Sequence, residues 1–428
     1  MSVNNTILKF FAALFIVMSS SLANAQQESR WIGTDGNWSD AANWDNGVPA
    51  GLDTAVIQSQ AGQITQDVSG LTLARIEFES ATANLVLQNS LTIEESLFWN
   101  EGKISGNSSL VFFGDGQINE FVELETTFDN FGFVEFGVNG EFATLRSGAQ
   151  GAWINRTGSV VDALNGVRFR ISNGGEGIVS VEPNSTFKVS EGLQTSWDFT
   201  NDGRTEMNEG GGFFFANYFQ SENAELILGQ GSVDFFQTSI LLGLVSGTGG
   251  VGNLNDPIEA ELVPGGQQIG FISTIGDFVM TPSTVCNFQI GPNLTADRIS
   301  NSGGPLQLNG TLNIEALPGA TPGTYLMFSY NNGFMLDVDD IQLGSVPNGF
   351  RGFLVHEQPM QRVNLVVEAI DPVFLGDVNR DGSVDLLDVQ PFVQLLASDT
   401  YQPEADINGD GEVNLLDING FIALLSGG

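Results

Sequence analysis

A twelve-residue acidic pattern occurs twice near the end of this 428-residue chain, at a constant offset of 29 positions. The first copy carries Asp377, Asn379, Asp381, Gly382, Ser383, Asp385 and Asp388, and the second carries Asp406, Asn408, Asp410, Gly411, Glu412, Asn414 and Asp417. An apolar segment follows each copy, at 389–396 and 418–425. Turn chemistry explains Asp and Gly, but not a ligand-like spacing repeated in register. A hard cation such as calcium takes six to eight oxygens, which a twelve-residue loop supplies from positions 1, 3, 5, 7, 9 and 12. Positions 1, 3 and 5 are Asp, Asn and Asp in both copies. The sharp turn at position 6 is glycine, the residue without a steric penalty there. Position 7 gives a backbone carbonyl, so Ser383 and Glu412 are free in type. Asp385 and Asn414 at position 9 act through water. Asp388 and Asp417 close the loops and are one methylene shorter than the usual Glu. The expected site is two calcium ions, one per loop. The expected mechanism is metal-coupled folding, in which the cation relieves repulsion among Asp377, Asp381, Asp385 and Asp388.

Two loop–helix units without a helix before each loop resemble the type I dockerin family, over 377–396 and 406–425. The resemblance implies a small all-α, calcium-dependent (EF-hand-loop) domain that docks onto a cohesin-like protein through residues 376–428. In that family, loop positions 10 and 11 are commonly Ser or Thr and contact the partner. Here they are Leu386, Leu387, Leu415 and Leu416. The family's later basic pair is Gln394-Leu395 and Ala423-Leu424. These departures leave metal binding intact; a cohesin, another protein or an intramolecular contact all remain open as partner. Pro391 inside the first apolar run makes that helix start late or bend.

The chain opens like a secretory leader: Lys9, an apolar core at 10–18, and the small-residue site Ala23-Asn24-Ala25. The core is too short for a membrane span. Cleavage after Ala25 and export to the bacterial exterior or cell surface are expected, with no membrane span thereafter. A single cysteine, Cys286, allows no intrachain disulfide and reads as a small buried hydrophobe. One Cys and one His exclude Cys/His zinc chemistry. The net charge of −37 argues against electrostatic binding to nucleic acid or anionic membranes.

The expected fold is mainly β. Trp31, Trp38 and Trp44 lie among turn formers at 26–60 and read as an N-terminal cap, with a sugar-stacking platform as the alternative. Short alternating runs such as Val167-Arg168-Phe169-Arg170-Ile171 fill 61–250, with Phe213-Phe214-Phe215 and Phe235-Phe236 read as an aromatic core. The glycine clusters Gly174-Gly175, Gly210-Gly211-Gly212 and Gly249-Gly250 read as turns. The runs recur without a fixed period. A right-handed parallel β-helix (solenoid) body is expected, with a β-sandwich as the alternative. Residues 251–370 contain Leu306-Gln307-Leu308-Asn309-Gly310-Thr311-Leu312 and Pro322-Gly323-Thr324-Tyr325, and are similar to the terminal passenger segment of autotransporter-like β-helices. A linker at 369–375, with Pro372, leads into the calcium domain at 371–428.

No catalytic residue emerges. The only histidine, His356, sits in a strand-like run, and no Gly-x-Ser-x-Gly elbow exists. Glycoside hydrolysis needs only two carboxylates across a cleft, and Glu120, Glu123, Glu125, Glu135, Asp337, Asp339 and Asp340 are available. Two functions stay open: a non-catalytic exported β-rich protein with a docking module, placed in a polysaccharide-degrading or cell-surface context, and a polysaccharide-acting glycosidase or lyase.

Overall fold

The computed structural model describes residues 26–58, 60–138, 143–171, 175–331, 335–337, 340–370, 374–398 and 400–427. The leader at 1–25, Gly174, Asp339 and Pro372 lie outside the described residues, as does the side chain of Asp337. Contacts divide the chain into two compact units: residues up to Val346 with Phe353–Val366, and Pro347–Gly352 with Val367–Gly428.

The first unit is built from strands that pair in parallel. Through its central part, each strand joins the third strand after it. Gln150–Asn155 pairs with Glu176–Val181, which pairs with Asp198–Asn201. Thr186–Val189 pairs with Arg204–Met207, and that strand with Glu225–Leu228. Every described strand-to-strand register up to residue 343 is parallel, which an antiparallel sandwich would not give, and among the described residues antiparallel pairing there is limited to the isolated bridges Trp31–Trp44 and Ile290–Ala296. The alternation of the sequence follows from one face being buried. Along Thr186–Val189 the side chains of Phe187 and Val189 point inward. Register then stacks inward residues into columns. One runs Val134, Val161, Phe187, Thr205, Leu226, Val245, Leu262, Cys286 and Leu312, all buried. Cys286 is thus one rung of this column, and burial pushes its thiol well up from the usual range.

A second buried column is partly polar, two amide pairs separated by the apolar rung Val181. Asn130 pairs in register with Asn155, and Asn201 with Gln220. All four side chains are fully buried. Asn130 Nδ2 donates to Asn155 Oδ1 (2.8 Å), Asn155 Nδ2 to Thr186 O (3.0 Å), Asn201 Nδ2 to Glu225 O (3.0 Å) and Gln220 Nε2 to Leu244 O (3.1 Å). Asn155, Asn201 and Gln220 each meet the carbonyl of a residue that opens a strand, and Asn130 meets the Asn155 amide, which offsets the cost of their burial.

Several expectations change. Only Phe214 and Phe235 face the core; Phe213, Phe215 and Phe236 point outward and stack on one another, with Phe215 and Phe236 4.8 Å apart. In a strand, consecutive residues face opposite ways, so a Phe triplet cannot lie wholly inside. Gly211–Phe214 and Gly249–Gly252 are strands rather than turns. A Cβ at Gly249 would collide with the Gly231 carbonyl, so this glycine serves close backbone approach. The three N-terminal indoles are buried, with Trp31–Trp44 and Trp38–Trp44 edge-on at 5.1 and 4.6 Å. They offer no open stacking face to a sugar. His356 lies in Phe350–Glu357, with Tyr330 Oη 2.8 Å from its Nε2.

In the second unit, helices α1 (Val389–Ser398) and α2 (Ile418–Gly427) follow the two acidic loops. Pro391 is the third residue of α1, in the first turn where its missing N–H has no intrahelical acceptor, so the helix starts without delay. Phe392 and Phe421 stack face to face at 4.1 Å and form a small core with Val378 and Ala405.

Candidate metal centre

The two loops share a bonding scheme, and in the second each end carboxylate accepts one further amide. In the first, Asp377 accepts from Asp381 N (3.0 Å) and Gly382 N (2.9 Å). Asp388 accepts from Asn379 N (2.8 Å) and Asp385 N (2.9 Å). In the second, Asp406 accepts from Gly409 N (2.9 Å), Asp410 N (3.2 Å) and Gly411 N (2.9 Å). Asp417 accepts from Ile407 N (2.8 Å), Asn408 N (3.0 Å) and Asn414 N (2.9 Å). First and last carboxylates therefore reach across the loop and curl the chain around a common centre. Gly382 and Gly411 have φ of 92° and 89°, where a side chain would be strained.

These four aspartates are at most 5% exposed. No Lys, Arg or His nitrogen lies within ion-pair distance of any of them among the described residues. Such buried carboxylates call for a cation. The remaining donors are oxygens as well. Asn379 and Asn408 donate Nδ2 to the Asp two positions on (3.0 and 2.8 Å) while their Oδ1 accepts from its N–H (2.8 and 2.9 Å), and Asp381 and Asp410 accept from Ser383 N and Glu412 N at 3.0 Å. Asp385 and Asn414 accept from Leu387 N and Leu416 N at 2.8 Å. Acidic side chains alone do not form a closed three-membered metal-holding cluster among the described residues. Asn and backbone oxygens must complete any shell, and that all-oxygen mixture suits calcium.

Sequence reasoning missed the clamp on the first loop. Arg380 binds Glu404 through two nitrogens (2.9 and 3.1 Å), Gln402 Nε2 donates to Val378 O (2.8 Å), and Gly376 N donates to Glu404 O (2.8 Å). Partial burial would raise the Glu404 carboxyl, but the Arg380 bond outweighs it and holds the group below its usual value. The available signal was that Arg380 is the one cation after Asp371. Tyr401 Oη also donates to Asp406 Oδ2 (3.3 Å).

Outside the loops, the structure brings Glu123 and Glu125 to one partner, Lys103, with Glu123 at 3.4 Å. Glu135 lies on another strand, Phe133–Phe136. No described helix is long and apolar enough to cross a membrane.

The type I dockerin domain family matches residues 375–425. No curated protein and no solved structure matches the chain. Dockerin domains bind calcium and dock onto cohesin partners, so this segment is similar to a calcium-binding protein-docking module.

Proposed function

We propose that the chain is an exported modular protein whose residues 376–428 hold two calcium ions and dock onto a protein partner. The supporting observation is that both loops curl around buried carboxylates that no Lys, Arg or His among the described residues pairs with, Asp388 matching Asp417 and Asp377 matching Asp406. The ligands are Asp377, Asn379, Asp381, the Ser383 carbonyl, Asp385 and Asp388, and Asp406, Asn408, Asp410, the Glu412 carbonyl, Asn414 and Asp417. The docking face includes Leu386 and Leu415, 81% and 75% exposed, with Leu387 and Leu416 beside them. Such side chains are costly to leave in water and suit an apolar acceptor surface on the partner, cohesin-like or otherwise. The body is a right-handed parallel β-solenoid, supported by the three-strand pairing period and the handedness of parallel crossovers. The leader-like residues 1–25 support export. Calcium titration by calorimetry tests the core of this reading. Two equivalents bound, abolished one at a time by Asp388→Ala and Asp417→Ala, is the expected result; no heat at millimolar calcium would overturn it.

A second reading, a polysaccharide-acting enzyme, draws on the Glu123–Lys103–Glu125 cluster. Release of reducing ends from a polysaccharide panel, lost in Glu125→Gln, would establish it.

A further inference from the structure

The strand Leu91–Phe112 changes register against the strand Asp115–Asn130 between Ser105 and Ser109. Ser105 faces Glu125 and Ser109 faces Thr127, so two extra residues bulge from the first strand. Gly106, at φ 127°, turns the chain there, and a Cβ on it would strike the Leu87 backbone. The displacement opens a groove of about 1170 Å³. Its floor is the outward stripe Ser109, Thr127, Ala152 and Ile178, which pair in register one after another. Three rung spacings make that floor about 14 Å long.

The lining defines the ligand. Every floor strand is paired on both sides, Thr127 with Ser109 and Ala152, Ile178 with Ala152 and Asp198. No free edge remains to receive a peptide backbone as an added strand. Recognition falls to side chains: hydroxyls of Ser108, Ser109 and Thr127 and the amide of Gln150. Two of the carboxylates at the rim are matched by cations. Glu125 binds Lys103, and Asp129 accepts from Arg156 Nε at 2.9 Å. Burial alone would lower Lys103, but its two glutamates outweigh that and hold it above its usual value. With these cations spoken for and Glu176 also in the wall, an anionic ligand meets repulsion. Ile178, 48% exposed, offers an apolar contact in the middle of the polar lining.

We propose that this groove binds a neutral glycan, a chain of uncharged sugars whose hydroxyls donate and accept while their C–H faces pack on Ile178 and Ala152. The proposal goes beyond the docking reading and is independent of calcium. The test titrates the full-length protein calorimetrically with neutral gluco-, manno- and xylo-oligosaccharides, with oligogalacturonate, and with a Ser/Gly-rich peptide of matched length. Binding of at least one neutral oligosaccharide is expected, unaffected by chelator and by Phe236→Ala on a distant rung. Ala152→Trp, which fills the floor, and Ile178→Asp should each weaken it at least about tenfold. Should Ala152→Trp fail to fold, Ile178→Asp, at a half-exposed position, decides alone. The proposal is overturned if no neutral sugar binds at about 10 mM, a concentration that would reveal even millimolar affinity. It is equally overturned if the acidic oligosaccharide or the peptide binds tighter, or if the folded groove variants bind as well as wild type.

Discussion

Replacing Asp417 by alanine is the sharpest probe of the tail. Its side chain is fully buried and accepts three backbone amides, from Ile407, Asn408 and Asn414. Its carbonyl receives Phe421 N at 2.8 Å, which starts α2. Alanine leaves three donors without an acceptor, at about 1 kcal/mol or more each. On the calcium reading proposed above, the variant also loses the closing ligand of the second loop, worth roughly 4 kcal/mol at calcium a thousandfold above the dissociation constant. A module of some sixty residues holds only about 3–9 kcal/mol in total. Asp417→Ala should therefore unfold α2 in calcium while the body stays intact. Amide hydrogen exchange on the whole protein reads this residue by residue. Protection at Phe421 to Leu425 should fall at least about a hundredfold, the equivalent of 2.8 kcal/mol. Exchange in Thr186–Val189 should not move. Asp417→Asn, which keeps one acceptor oxygen, should fall between. If Asp417→Ala leaves α2 protection within about threefold of wild type, less than 1 kcal/mol, Asp417 neither organises the loop nor closes a metal site.

Other consequences can be read without removing the metal. Leu386→Asp with Leu415→Asp should abolish partner capture yet shift stability by less than about 0.5 kcal/mol, since both are surface residues; a large fall in the melting temperature would show that they pack. Trp38→Ala should cost about 3–5 kcal/mol by denaturant unfolding, because it removes a fully buried indole packed edge-on against Trp44. Asn201→Leu should cost about 1–3 kcal/mol by leaving the Glu225 carbonyl unmet; a neutral result would remove the amide column from the account of stability. Burial raises the Asp297 carboxyl to about 6, despite amide bonds from Gly270 and Gln289 and with Glu315 adding to the rise. Because the folded value lies above the unfolded one near 3.8, the penalty is absent below about pH 4 and grows as pH rises through 6. The melting temperature of wild type relative to Asp297→Asn should climb as pH falls from 7 to 4, by an amount equivalent to roughly 2–3 kcal/mol. A flat difference would refute the shift.

What the sequence disclosed followed distance along the chain. The acidic loops were legible because each is local: ligand spacing, glycine and helix lie within twenty residues. The strands showed through alternation, yet their pairing did not. Leu244 pairs with Glu261, 17 positions on, whereas Gly310 pairs with Ile341, 31 positions on. A repeat whose loops vary this much leaves no period to find. Asn130, Asn155 and Asn201 look like turn residues in isolation, and only register reveals them, with Gln220, as buried rungs on either side of Val181. The groove arises from two extra residues between Ser105 and Ser109, which no composition or motif marks. Arg380 and Glu404 are 24 positions apart, too far for a local rule to join.

The inward column through Cys286 has a consequence for how such a body can change. Each strand leans only on the turn before and the turn after, so cohesion passes hand to hand rather than converging on a centre. Excising one whole turn would set Val161 directly beneath Thr205 and mend the gap with similar neighbours. Losing half a turn would strand every side chain above it on the wrong side. Such a body is a ruler, lengthened or shortened in whole units without redesign of its interior.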